Sequence, residues 1–307
     1  MEPRKLYRLA AKNQQPARAR KSDREGGLIP TGRGFPASNL PFAPELRHHL
    51  PVASEIILLI DIGNTHTHLG LANESRVIRQ TDIPTPDWFS RRGERFALRF
   101  VGDRKLRGAA LCSVVPRVTP LVKRAVKRVW KVFPFELKPK TLTGVGINYP
   151  RPATIGPDRL ANAMAVRHHF GSPAVVVDFG TAVTFDVVDG RGNYAGGIIA
   201  PGLAAMTDYL HEKTALLPRI RIREVGSAIG KSTEQAMLIG AVHGYRGLVR
   251  ELIGKLKCEL KADRLPVVAT GGYAKLIAAK MPEVSAIEPN LTLEGLRLAW
   301  RANKLET

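Results

Sequence analysis

The sequence predicts an α/β fold made of two similar halves, and three observations carry that expectation. Apolar, strand-like runs alternate with amphipathic helical stretches from Ile56 onward. The strand–turn unit ILLIDIGNTHTHLGL returns later as VVVDFGTAVTFDVV. The two copies keep step: Asp61, Gly63 and Thr67 stand against Asp178, Gly180 and Thr184, each displaced by 117 residues. Repetition on that scale implies two similar domains facing each other. With 307 residues and 44% hydrophobic composition, the chain is long enough for two medium cores.

Before the repeat, residues 1–54 show no sustained period of 2 or 3.6. They hold ten Lys/Arg against four Asp/Glu and are rich in Arg, Pro, Gly and Ala. Such a stretch buries too little apolar surface to offset its ordering entropy, so a basic, disordered extension is expected. It lacks the apolar run of a secretory signal, and Glu2, Asp23, Glu25 and Glu45 argue against a transit peptide. Nucleic-acid binding through this basic tail is the alternative to an extension without a task.

From Ile56 each element has a local reason. IILLID is a continuous apolar run closed by a polar turn, the pattern of a strand buried on both faces. THLGLA and RVIRQTDI continue as strands of a meander, and LCSVV reads as a short buried strand. In TPLVKRAVKRVWKVF, Leu121, Val122, Ala125, Val126, Val129 and Val132 fall on one helical face. Lys123, Arg124, Lys127, Arg128 and Lys131 fall on the other, a solvated basic surface. Pro157 to Phe170 reads as a helix, with Pro at its start and Gly171 past its end. AVVVDFGTAVTFDVVD is the second strand–turn unit. Glu234 to Leu256 reads as a long helix, PVVAT as a buried strand, Ala274 to Lys280 as a helix and Leu293 to Asn303 as a closing helix. The expected domains are 55–172 and 173–307.

Composition narrows function. Forty-seven Lys+Arg against 27 Asp+Glu give a net charge of +20, spread through the body and densest between Arg117 and Lys140. That balance admits nucleotides, nucleic acids and acidic surfaces as partners. No apolar run approaches the ~20 residues that cross a bilayer, so no membrane partner is expected. Cys112 and Cys258 are isolated, which suits a reducing, cytoplasmic setting. Neither a Ser-His-Asp order nor HExxH suggests hydrolase chemistry.

The repeated turn has an intelligible chemistry. A strand ending in Asp presents a carboxylate to a hydrated cation. The following Gly permits a tight turn, and the next amides and hydroxyls can donate to phosphate. Two such turns converging would grip both ends of a triphosphate. A third turn, Thr270-Gly271-Gly272, lies between a buried strand and a helix and allows close approach of a flat ligand. His66 and His68 alternate along one strand without a third ligand nearby, so they read as polar neighbours of a phosphate site. Asp158, taken alone, also fits ordinary helix-start chemistry.

Seven blocks in order, DIGNTHTHLG, GPDRLANA, DFGTAVTFD, GGIIAPGLAAM with TALLP, GKSTEQAMLIGAVHGY, ATGGYAKL and LTLEGL, resemble the type III pantothenate kinase family from about Ile57 to Trp300. The resemblance implies an actin-like, sugar-kinase superfamily fold: two ribonuclease-H-like domains with the active site in the cleft between them. It implies transfer of the ATP γ-phosphoryl group to pantothenate, giving 4′-phosphopantothenate as the first step of coenzyme A synthesis. It also implies Mg²⁺ with the ATP, a monovalent cation (K⁺ or NH₄⁺) and a homodimer. Carried over by position, Asp61, Ile62, Gly63, Asn64, Thr65, His66, Thr67 and His68 form the first phosphate block, with Asp61 facing Mg²⁺ through water. Thr181 is an ATP contact, and Gly271 and Gly272 resemble the adenosine-side turn. Tyr149, Gly156, Pro157, Asp158, Arg159 and Thr233 match the pantothenate contacts, Asp158 the general base and Asp178 the monovalent-cation ligand. The alternative is a non-catalytic protein of the same fold, sensing nucleotide or accompanying nucleic acid.

Overall fold

The protein is described here by a computed structural model covering residues 56–305; the extension expected over residues 1–54 lies outside the described residues. The first half runs β1 (Ile56–Ile62), β2 (His66–Ala72), β3 (Val77–Pro84), α1 (Arg92–Val101), β4 (Leu106–Ser113), α2 (Thr119–Trp130) and β5 (Phe135–Glu136). β1, β2 and β3 make an antiparallel meander, and β4 and β5 add in parallel, giving the order β3-β2-β1-β4-β5. Both faces of this sheet are covered, which is why IILLI carries no polar alternation. Ile56, Leu58, Ile60 and Ile62 pack with Phe100 of α1 and Val122 and Val126 of α2, whereas Ile57 and Leu59 pack on the opposite side. Arg124, Lys127 and Arg128 of α2 face solvent, as its amphipathic pattern predicts.

The second half runs β6 (Gly146–Ile147), α3 (Pro157–Phe170), β7 (Ala174–Phe179), β8 (Ala182–Val188), β9 (Asn193–Pro201), α4 (Leu203–Lys213), α5 (Thr233–Ile239), α6 (Tyr245–Leu260), β10 (Val267–Thr270), α7 (Ala274–Ala278), β11 (Ala286–Ile287) and α8 (Leu291–Leu305). Its sheet order is β11-β10-β7-β8-β9-β6. The meander β7-β8-β9 with parallel β10 and β11 repeats the plan of the first sheet, and β6 adds parallel to β9 at its edge. The internal repeat in the sequence is therefore a repeat of topology, and the two units are ribonuclease-H-like.

Helix α3 joins the halves. Leu160, Ala161, Ala163, Met164, Ala165 and Val166 sit in one apolar cluster with Ile57 and Leu59 of the first sheet and Val176 and Val268 of the second. Leu291, Leu293, Leu296 and Trp300 of α8 complete this cluster. Gly295 lets α8 press against the Ala161 backbone, where any side chain would collide. This packing fixes the first turn of α3, and with it Asp158, relative to both sheets.

Helix α3 has the bounds expected from its Pro and Gly signals. The strand expected at LCSVV starts earlier, at Leu106, and ends at Ser113. The long helix expected over Glu234–Leu256 is α5 and α6 joined by a π-helical turn, Gly240–Gly244. Elements α1, β9 and α4 go beyond the sequence reading. The buried stripe of α1 is thin because Gly93 and Ala97 supply half of it beside Phe100 and Val101, and the glycine pair in NYAGGIIAP interrupts the strand pattern of β9.

Candidate active site

Each repeated strand ends in its aspartate and turns through glycine. In the first hairpin the Gly63 N–H donates to the His66 carbonyl at 3.0 Å. Register shows an asymmetry that the sequence repeat conceals: Asp61 lies opposite His68, but Asp178 lies opposite Thr184. The first hairpin is one residue longer, so Thr67 and Thr184 do not occupy equivalent places. Thr67 instead pairs across from Ile62 and is buried, bonded to Thr85 Oγ1 at 3.0 Å and accepting from Trp88 Nε1 at 3.2 Å. Ile62 is also buried, so these two positions offer a ligand only backbone. Gly63, Asn64, Thr65 and His66 remain accessible. The two turns meet, with Thr65 Oγ1 3.1 Å from Thr181 Oγ1.

Around that meeting point lie the carboxylates. The register of β1 and β4 puts Cys112 beside Asp61, and its thiol donates to Asp61 Oδ1 at 3.3 Å. Burial pushes the Asp61 pKa up to about 6; His68 opposes this and the charge of Asp158 adds to it. His68 Nδ1 is 2.6 Å from Asp82 Oδ1. Burial alone would lower the His68 pKa, but Asp61 and Asp82 outweigh it and hold the ring above its ordinary value. Asp178 is pushed further, to about 7, by burial and then by the charges of Asp186, Asp158 and Asp61. Thr270 lies beside Asp178 in the sheet, and Gly271 follows at φ +89°. A side chain at Gly271 would strike the Asp178 carboxylate and the Phe179 backbone, so this turn demands glycine for both conformation and space. Gly272 beside it faces open space.

Asp158 stands in the first turn of α3, where burial raises its pKa and the Arg159 N–H donates to its Oδ1 at 2.9 Å. Gly156 lies against that carboxylate, and a side chain there would collide with it. Pro157 starts the helix. Arg159 reaches across to β8, donating from Nε to Asp186 Oδ1 at 2.5 Å and from Nη2 to the Phe185 carbonyl at 2.9 Å. Its guanidinium lies 5.7 Å from the centre of the Tyr194 ring. Tyr149, 39% exposed, meets Tyr194 edge-on at 6.1 Å. Arg159 and Tyr149 thus meet at Tyr194, next to Asp158, whose charge acts on both Asp61 and Asp178. Thr233 stands apart: it opens α5 on the surface, and among the described residues no hydrogen bond or ion pair joins it to this group. Asp186 and Asn162 were not anticipated. The signal for Asp186 was a carboxylate inside the apolar strand run AVTFDVV, which burial tolerates only with partners.

The site is rich in uncompensated negative charge. Among the described residues neither Asp61 nor Asp178 has a Lys or Arg ion-pair partner, and no group of three or more His, Cys, Asp or Glu side chains forms a closed metal cage. That donor set suits a cation that keeps much of its water and shares phosphate ligands. Among the described residues no helix is long and apolar enough to cross a membrane.

A family model for type III pantothenate kinase matches residues 57–255. The chain is 48% identical over 248 residues to a type III pantothenate kinase of Akkermansia muciniphila, covering 80% of this chain and 98% of that one. It is 45% identical over 244 residues to a type III pantothenate kinase of Methylacidiphilum infernorum, covering 79% and 87%. Among solved structures, a Campylobacter jejuni protein assigned to the Baf family of transcriptional activators is similar in fold, at 21% identity and TM-score 0.53, covering 81% of this chain and 99% of that one. The chain belongs to the type III pantothenate kinase family.

Proposed function

We infer that this chain transfers the γ-phosphoryl group of ATP to the terminal hydroxyl of pantothenate, giving 4′-phosphopantothenate for coenzyme A synthesis. The observation that carries the reading is the convergence of two Asp-x-Gly turns at Thr65 and Thr181, with Asp158 beside them. The amides of Asn64 and Thr65 and the hydroxyls of Thr65 and Thr181 bind phosphate oxygens, with Gly63 forming the turn and Ile62 and Thr67 contributing backbone. His66 and His68 flank them, and Gly271 and Gly272 leave room for the adenosine. Asp61 would hold Mg²⁺ through water, and Asp178 a monovalent cation, K⁺ or NH₄⁺. These cations supply charge neutralisation at the phosphates.

Asp158 orients the acceptor hydroxyl and takes its proton as the new P–O bond forms, and burial raises its pKa, which makes it a stronger base than an exposed aspartate. Arg159 holds the pantothenate carboxylate, and Tyr149, Gly156 and Pro157 line the same pocket. The non-catalytic alternative is not favoured: the matched relatives are named as kinases, and Asp61, Asp158 and Asp178 are all present.

The lobes correspond to residues 55–172 and 173–307, with β6 and α8 each serving the other lobe's sheet. Ile199 of β9 and Met206, Tyr209 and Leu210 of α4 are exposed apolar side chains, and a second copy of the chain covering them makes a homodimer with pantothenate near its interface. The enzyme works in the cytoplasm. A coupled assay with ATP, Mg²⁺, K⁺ and pantothenate tests the whole reading: turnover should require pantothenate and rise with K⁺. ATP binding without turnover would overturn it.

A further inference from the structure

Asp186 is a fully buried carboxylate on β8, an expensive group to hide unless it performs a task. Two donors converge on it: Arg159 Nε on Oδ1 at 2.5 Å and Asn162 Nδ2 on Oδ2 at 3.1 Å. The amide of Asn162 is itself fixed, because its Oδ1 accepts from Thr292 Oγ1 in the first turn of α8 at 2.8 Å. Across the ladder from Asp186 stands Gly197, where a side chain would run into the Phe185 carbonyl and reach 2.6 Å from Arg159 Nη2. The β8–β9 ladder is therefore cut away to seat the guanidinium. With Nε and Nη2 engaged, Nη1 has no protein partner among the described residues.

We propose that Asp186 is a positioning residue for the substrate: through the relay Thr292–Asn162–Asp186 it locks the Arg159 guanidinium so that its free Nη1 edge meets the substrate carboxylate. The inference rests on the reading that Arg159 binds that carboxylate.

The hydrogen-bond inventory supplies a sharp test. An aspartate at 186 accepts from both Arg159 and Asn162. An asparagine there has one acceptor and one donor, so it sets a donor against one of those two donors. Exchanging the two side chains restores the complement: with Asp186→Asn and Asn162→Asp, position 186 accepts from Arg159 and donates to a carboxylate at 162, which still accepts from Thr292 Oγ1.

Steady-state kinetics would be measured with pantothenate and with its uncharged primary amide. Asp186→Asn should raise KM for pantothenate about 10- to 100-fold, move KM for the amide only a few-fold, and change KM for ATP little. The double variant Asp186→Asn/Asn162→Asp should recover most of the lost KM for pantothenate. Arg159→Met tests the underlying reading separately. If it keeps the preference for acid over amide, Arg159 does not bind the carboxylate. If it loses that preference while Asp186→Asn keeps it, the relay alone is wrong. Equal loss on both substrates, or loss that Asn162→Asp does not repair, would also overturn the relay. Should Asp186→Asn fail to fold, folding and acid preference in the double variant would still support it. Failure of both to fold would assign Asp186 to the scaffold.

Discussion

Asp61 ends β1 beside a histidine and a thiol, whereas Asp178 ends β7 beside other carboxylates and a glycine. The backbone around them is nearly the same: an apolar strand, an aspartate, a glycine turn and a returning antiparallel strand. Their protonation is not the same. His68 and the Cys112 thiol support the charged form of Asp61, which titrates at about 6. Asp186, Asp158 and Asp61 all oppose the charged form of Asp178, which titrates at about 7. A motif thus sets where the carboxylate stands, and its neighbours set how strongly it calls for an external cation. Asp178, with no histidine or thiol named beside it, is the carboxylate we propose for the monovalent ion.

The largest effect should come from the group that presses on both turns. The charge of Asp158 raises the pKa of Asp61 and of Asp178. Asp158→Asn should lower kcat by about 10²–10⁴ while leaving ATP binding nearly unchanged, as measured by steady-state kinetics and calorimetry. Turnover within a few-fold of the parent would return Asp158 to ordinary helix-start duty. Next, the two turns should separate by ion. Asp178→Asn should abolish activation by K⁺, roughly a tenfold effect if that ion neutralises one phosphate charge. Asp61→Asn should raise the Mg²⁺ concentration needed for half-maximal rate and keep the K⁺ response. Ion titrations that look alike for both variants would erase the distinction.

Acidity gives a third, smaller effect. The folded-state pKa of Asp178 lies above its ordinary 3.8, so between about pH 4 and 7 the folded chain holds a proton that the unfolded chain has released. Stability from this source is full at low pH and declines as pH rises through about 7. Without nucleotide or K⁺, the Tm advantage of Asp178→Asn over the parent should therefore grow from pH 4 to 7 and level off above. A gain of about 2–4 °C at pH 8 corresponds to roughly 1 kcal/mol. The catalytic profile has the opposite sign, because the charged form binds the cation: rate should fall as pH drops below about 7. The smallest change is Cys112→Ala, which removes one weak donor from Asp61 and should cost no more than a few-fold in rate.

Much of this was legible in the sequence wherever one local rule acted alone. The ends of α3 follow from Pro157 and Gly171, and β1 follows from an apolar run that both faces of a sheet can bury. The paired turns were visible as Asp61-Ile62-Gly63 and Asp178-Phe179-Gly180. Register was not, because one extra residue in a hairpin leaves the linear spacing intact while it moves Thr67 into the core beside Trp88. Nor was the Arg159–Asp186 pair, which joins a helix to a strand 27 residues away. No spacing rule links those two positions; only the sheet geometry brings them together.

The return of α8 to the first sheet has a consequence for synthesis. Leu293, Leu296 and Trp300 cover Ile57 and Leu59, and the indole of Trp300 lies in space that any side chain at Gly108 would need. These covering residues leave the ribosome more than two hundred residues after β1, and Trp300 follows Gly108 of β4 by 192 residues. Throughout that interval the nascent β1–β4 layer has one oily face that α3 covers only in part, and vectorial folding cannot finish it before α8 arrives. The first lobe to emerge is therefore among the last to be sealed, and the interval before α8 arrives is when chaperones would find the chain.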